Sequence, residues 1–232
     1  MAVTVITEKN TNIENATHKL LLDRAAINEG KRGYLIVKRI FDILFSVICL
    51  ALLLPFFLII TLIVFIECPK ASPIFTQQRI GKDKKPFRFY KFRSMIPDAE
   101  DKLEELLHKN EMDGHAFKIK DDPRITKVGK FLRKTSIDEL PQLLNVLLGD
   151  MTIVGPRPPL PREVENYSEY ELQRLYVTPG LTCYWQITPN RNDMTFNEWL
   201  NMDLQYIQKR SLKTDLRIIL GTFGAVFKMN GV

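Results

Sequence analysis

Residues Ile43 to Ile66 carry no charged side chain over 24 consecutive positions. As a helix this run would be about 36 Å long at 1.5 Å per residue, enough for a hydrocarbon core of about 30 Å. That excludes an ordinary, wholly soluble domain. The run starts some forty residues in and continues into Glu67-Cys68-Pro69-Lys70, with no small-residue cleavage site, so a cleaved leader is not expected. Two features argue against a simple crossing. Pro55 sits near the middle and removes one helical hydrogen bond. Both flanks are basic: residues 31–39 carry +4 and residues 70–93 carry +7. Positive charge marks the cytoplasmic side of a membrane segment, so a helix that enters, bends at Pro55 and returns satisfies both observations. A kinked spanning helix is the alternative. Arg39 and Asp42, three apart at the start of the run, are expected to neutralise each other at the membrane surface.

The 232 residues carry a net charge of +6, with 45% apolar and 26% charged residues, an ordinary globular balance outside the apolar run. Cys49, Cys68 and Cys183 show no CxxC spacing, and His18, His108 and His115 have no partner at ligand spacing. A disulfide framework or zinc site is therefore not expected. Residues 1–33 read as a polar arm, 34–70 as the membrane helix, and 71–232 as a cytoplasmic catalytic domain with interfacial helices. Strands are expected at Ile74–Gln78 and Phe87–Phe92, with a brief one at Met151–Val154. Helices are expected at 99–110, 140–148, 163–176, 196–210 and 212–229, from apolar residues at helical spacing. The fold class is thus α+β and mainly helical. Basic residues do not alternate with aromatic ones along a stripe, so nucleic acid is not an expected partner.

Chemistry concentrates at Asp138-Glu139, which follows a basic run that includes Arg133 and precedes an apolar helix. Ser136-x-x-Glu139 reads as a capping box. With Asp138 as the cap instead, Pro141 would fall where no hydrogen bond is lost. Either way the carboxylates lie at the positive end of a helix dipole, and nearby cations should hold both ionised. Capping and catalysis both remain open on position alone. Arg157, bracketed by Pro156 and Pro158, is either a solvated loop residue or a guanidinium held ready for phosphate.

Several segments occur in one order: Lys38-Arg39-Ile40-Phe41-Asp42, the Pro55-broken run, Phe75-Thr76-Gln77-Gln78-Arg79-Ile80-Gly81, Phe89-Tyr90-Lys91-Phe92-Arg93-Ser94-Met95, Thr135 through Leu143, Gly149-Asp150-Met151, Val154-Gly155-Pro156-Arg157-Pro158 and Pro179-Gly180-Leu181-Thr182. Together they resemble the bacterial sugar transferases, monotopic polyprenol-phosphate phosphoglycosyl transferases, from Lys38 to the C-terminus. The resemblance implies a re-entrant helix and a small catalytic domain on the inner face of the cytoplasmic membrane of a bacterium. It implies transfer of a sugar 1-phosphate from a UDP-sugar to undecaprenyl phosphate, with UMP leaving. This is the first membrane step of capsule, exopolysaccharide or O-antigen repeat-unit synthesis.

By the same resemblance Asp138 is the nucleophile of a covalent phosphosugar intermediate, and Glu139 serves Mg2+ and proton handling, with both carboxylates at the metal. Arg157 would contact the nucleotide. The family's diphosphate arginine follows a Gln and a Gly. Here Gln186-Ile187-Thr188-Pro189-Asn190-Arg191 puts Pro189 at the glycine position, and Arg191 is the stand-in. Lys91, Arg93 and Arg133 are further phosphate-binding candidates, and Pro55, Arg39 and Asp42 belong to the re-entrant element. Galactose, glucose and N-acetylated amino sugars are all open, as is a homodimer.

Overall fold

The computed structural model describes residues 21–227, apart from 112, 116, 118, 120 and 190–192. Helix dominates. The elements in order are α1 (Arg32–Glu67), β1 (Ile74–Ile80), β2 (Pro86–Phe92), α2 (Leu103–Leu106), α3 (Lys127–Lys134), α4 (Gln142–Leu148), β3 (Thr152–Val154), α5 (Pro161–Val164), α6 (Glu169–Leu172), β4 (Gly180–Thr182), α7 (Phe196–Lys209) and α8 (Leu212–Phe227). A single 3-10 turn, Ile137–Glu139, stands between α3 and α4.

α1 runs as one helix through Pro55. It is long and apolar enough to cross a membrane by length and composition. It keeps one narrow face against the rest of the chain over nearly its whole length. Asp42 and Ser46 are buried in its first half, Ile60 and Val64 in its second. Phe45, Cys49 and Leu53 join the main core, while Phe56, Phe57, Ile60 and Val64 pack with Phe92 and Leu132. The opposite face exposes Ile36, Ile40, Leu44, Ile48, Leu52 and further apolar side chains to Ile66.

The expected Arg39–Asp42 pair does not form; both side chains turn to the domain. Arg39 donates to the carbonyls of Val146 (2.6 Å) and Leu147 (2.8 Å). A cation there closes the negative end of α4, together with Gly149, whose φ of 95° ends the helix. Asp42 accepts from Thr152 Oγ1 (2.6 Å) and from the Ile153 amide (3.0 Å). Tertiary partners that leave no buried donor unmatched outcompete a local pair worth only tenths of a kcal/mol, roughly 0.2–0.5. Farther along, Glu67 accepts from the Val128 amide at the start of α3.

β1 and β2 form an antiparallel hairpin, with Arg79 opposite Phe87 and Phe75 opposite Lys91. Its turn places Asp83 and Lys84 at positive φ. β3 and β4 pair in parallel, Thr152 with Gly180 and Val154 with Thr182. Core residues Leu143, Val146, Ile153, Val154, Leu200, Leu204 and Ile207 draw α4, β3 and α7 together, and Ile218 brings in α8.

The expected strands 74–78 and 87–92 and helices 140–148, 196–210 and 212–229 match the observed elements to within a few residues. The expected helix 99–110 holds only the four residues of α2 followed by a 3-10 turn. The expected helix 163–176 is divided, because Ser168 and Glu171 form a capping box that starts α6 inside it. Residues 21–31 are not a free arm. Ile27 is buried in the core, and Arg210 donates to its carbonyl (2.9 Å). Residues 1–20, within the expected arm, lie outside the described residues.

Candidate active site

Asp138 owes its place to a sharp turn. Thr126 caps α3 by accepting from the Gly129 amide (2.9 Å). A side chain at Gly129 would put its Cβ 2.0 Å from the Ser94 carbonyl oxygen, so α3 can lie this close to the end of β2 only with glycine there. α3 then ends at Lys134, and Ser136 takes a left-handed conformation (φ 57°, ψ 17°). This reverses the chain and delivers Ile137–Glu139 against β2. Neither expected cap forms. Ser136 makes no side-chain cap, and Pro141 itself occupies the cap position of α4. There its missing amide costs α4 no hydrogen bond.

Asp138 is 4% exposed. Lys91, the last residue but one of β2, reaches both carboxylates: its Nζ is 2.8 Å from Glu139 Oε1 and 3.7 Å from Asp138 Oδ2. Burial raises the Asp138 carboxyl to about 6; Lys91 and Arg133 pull it down, and Glu139 adds to the rise. Desolvation therefore outweighs the cations in setting the direction of the shift. Arg133, in the last turn of α3, donates to Ser94 Oγ (3.0 Å), and its charge acts on Asp138.

Glu139 lines a cleft whose walls also include Arg79, Lys91, Gln142, Arg157 and Gln186, and Asp138 lies buried just behind it, beside Lys91. Arg157 is exposed on the proline loop after β3. That loop is locked against β4: the Gly155 amide donates to the Thr182 carbonyl (2.9 Å) and the Gly180 amide to the Pro156 carbonyl (2.9 Å). The two backbones come so close that a Cβ on Gly180 would lie 2.0 Å from the Gly155 nitrogen. From below, the buried Arg174 pairs with Asp203 (2.8 Å) and reaches the Arg157 carbonyl. Gln186 accepts from the Cys183 amide (3.1 Å) and so holds the far wall.

Thus Asp138, Glu139, Lys91, Arg157 and Gln186 come together, with Arg133 behind them. Arg93 does not join them. It donates to the Ser72 carbonyl (2.7 Å) and lies over the Phe75 ring, where it braces the base of the hairpin. Arg191 lies outside the described residues. Pro55 is exposed on α1, and Arg39 and Asp42 join that helix to α4 and β3. Sequence reasoning missed Arg79, Phe89 and Gln142 as wall residues. The two-residue alternation of Phe89 with Lys91 along β2 was the available signal for one of them. Gln142, a polar residue opening an apolar helix, was another.

Among the described residues no three His, Cys, Asp or Glu gather as a metal cage. Asp138 and Glu139 are adjacent hard oxygen donors, and the cationic ammonium of Lys91 already sits on both. Mg2+ commonly binds through one or two carboxylates and completes its shell with water and phosphate oxygens. The donor set fits that mode.

The family model described as bacterial sugar transferase matches residues 33–229. The chain is 47% identical over 201 residues to galactosyl transferase CpsE of Streptococcus agalactiae, covering 87% of this chain and 44% of that one. It is 38% identical over 220 residues to the UDP-galactose-lipid carrier transferase of Erwinia amylovora (93% and 45%). It is 40% identical over 220 residues to the undecaprenyl-phosphate galactose phosphotransferase of Salmonella typhimurium (93% and 45%). The chain spans under half the length of each of these three relatives.

Proposed function

The chain belongs to the bacterial sugar transferases, and from that premise we propose that it moves a sugar 1-phosphate from a UDP-sugar to undecaprenyl phosphate through a phosphosugar ester on Asp138. The observation that carries this reading is the buried Asp138 carboxyl beside Lys91 and Glu139, the two residues that line a cleft also walled by Arg79 and Arg157.

The ionised Asp138 attacks the phosphorus that bears the sugar. An Oδ–P bond forms, the phosphoanhydride P–O bond breaks, and UMP leaves. An oxygen of undecaprenyl phosphate then attacks the same phosphorus and the aspartate departs, giving the lipid diphosphate sugar. With a carboxyl near 6, Asp138 is mostly ionised at neutral pH, while burial keeps its carboxylate poorly solvated and reactive. Lys91 orients both carboxylates and offsets the charge that builds up when phosphate enters. Arg157 suits the nucleotide phosphates, since its loop is fixed before substrate arrives. Mg2+, held by Asp138 and Glu139 with phosphate oxygens, would screen the repulsion between carboxylate and diphosphate.

The lipid phosphate stays at the membrane surface, so the site must be held there. α1 supports a re-entrant arrangement. Its two halves pack on one domain, through Asp42 near its start and Glu67 at its end, while apolar side chains cover its outer face from Leu35 to Ile66. A spanning helix would carry its ends to opposite sides of the bilayer. The domain then faces the cytoplasm, in keeping with the two basic flanks.

A panel of UDP-sugars, UDP-galactose first, is offered with undecaprenyl phosphate and Mg2+ to the full chain in lipid, and UMP release is measured. Release from one sugar and a phosphosugar mass on Asp138 are the expected results. Release from none would sink the reading.

A further inference from the structure

Two buried donors in the cleft have no hydrogen-bond partner among the described residues. Arg79, on β1, is 7% exposed. Its Nη1 donates to the Pro158 carbonyl (3.1 Å) and its guanidinium lies 5.2 Å over the Phe89 ring, which fixes the plane of the fork. Its Nε–H is buried with no acceptor among the described residues. Gln142, the first residue of α4, is 2% exposed, and its Nε2 is equally orphaned. Both side chains wall the same cleft, and Gln142 lies three residues after Glu139.

Orphans of this kind are rare, because a buried donor without an acceptor weakens the fold. The neighbourhood compounds the cost. Burial lowers the Arg79 guanidinium, and Arg157 across the cleft pushes it the same way, while Glu163 and Glu139 offset part of the effect. An anion with several acceptor oxygens would relieve all of this at once. A guanidinium fork matches phosphate geometry, and a carboxamide can donate to a further oxygen of the same group.

We propose that Arg79 and Gln142 form an oxyanion subsite that grips non-bridging oxygens of the phosphoryl group under attack by Asp138. This rests on the reaction proposed above and adds two binding residues to it. Arg79 has a second consequence. Because it also holds Pro158, an occupied subsite tightens the loop that carries Arg157.

The test uses the full chain in detergent. Inorganic pyrophosphate is titrated against wild type, Gln142→Met and Arg79→Lys, and thermal midpoints are read with and without it. Methionine keeps the volume of Gln142 and removes the orphaned donor, so without ligand its midpoint should equal that of wild type or exceed it by a few degrees. Its apparent pyrophosphate affinity should fall about tenfold or more, the effect of losing one hydrogen bond to a charged group. Arg79→Lys keeps the charge but loses the Nε–H, and should weaken binding similarly. UMP release by Gln142→Met should show a raised KM for the UDP-sugar. The inference is overturned if pyrophosphate leaves wild type unmoved. It is equally overturned if Gln142→Met binds like wild type, or if it lowers the unliganded midpoint in step with affinity. UMP release by wild type is a separate readout, so failure of the reaction itself is distinguishable from failure of the subsite.

Discussion

Replacing Asp138 by asparagine should abolish turnover and, at neutral pH, make the protein harder to unfold. The carboxyl rises from an ordinary value of 3.8 to about 6 on folding, chiefly through burial. The folded state therefore binds a proton more tightly than the unfolded chain. The stabilisation is complete below about pH 4 and is lost as pH rises through 6. At 1.36 kcal/mol per pH unit, the ionised carboxylate weakens the fold by on the order of 3 kcal/mol above pH 7. An asparagine carries no such charge. For a chain of this size the gain corresponds to a thermal midpoint higher by about 6–12 °C. The assay is thermal unfolding of wild type and Asp138→Asn in the same detergent from pH 4 to pH 8. The gap should be largest at pH 8 and close near pH 4. A variant that is equally stable or less stable at pH 8 would refute the claim that burial dominates the electrostatics of this carboxyl. Persistent UMP release would refute its role as nucleophile.

Other perturbations test the surroundings. Lys91→Met removes the cation from both carboxylates, so turnover should fall by about a hundredfold, roughly 2.7 kcal/mol. The acidic limb of the pH–rate profile should move upward, since Lys91 now pulls the Asp138 value down; an unmoved limb would contradict the contact. Gly180→Ala should destabilise the chain by about 3 kcal/mol or more, because its new methyl would meet the Gly155 backbone at 2.0 Å. Far-UV circular dichroism during heating reads this. Arg174→Met leaves Asp203 buried without its partner and should cost about 3–5 kcal/mol. Adding Asp203→Asn should recover much of that loss in the same melting experiment.

The features legible in the sequence are those that depend on local pattern. The uncharged run, the hairpin and the apolar spacing of α4, α7 and α8 each follow from one period of hydrophobicity. The acidic pair stood out because two carboxylates after a basic run are chemically conspicuous. What failed was decided by distant partners. Ser136 looked like a helix cap, but the close seating of α3 on Ser94 leaves the chain a single turn in which to reverse, and that residue takes the left-handed turn instead. Arg39 and Asp42 looked like each other's partner, yet the end of α4 and the edge of β3 offered each a better one. Arg93 stands two residues after Lys91, just past the end of β2, and turns to the Ser72 carbonyl, while Lys91 faces the acidic turn. The burial of Asp138, which fixes its acidity, depends on packing that no single segment encodes.

The grip of α1 on the rest of the chain has a practical result. Arg39 finishes one helix, Asp42 anchors a strand and Glu67 starts another helix, with Val64 filling the core between. Cutting after Glu67 to obtain a water-soluble fragment would thus pull a beam out of the building and leave something unfinished rather than a smaller enzyme. Solubility is better sought by recolouring the outward side of that beam, at positions such as Leu44, Leu52 and Ile59, than by sawing it off.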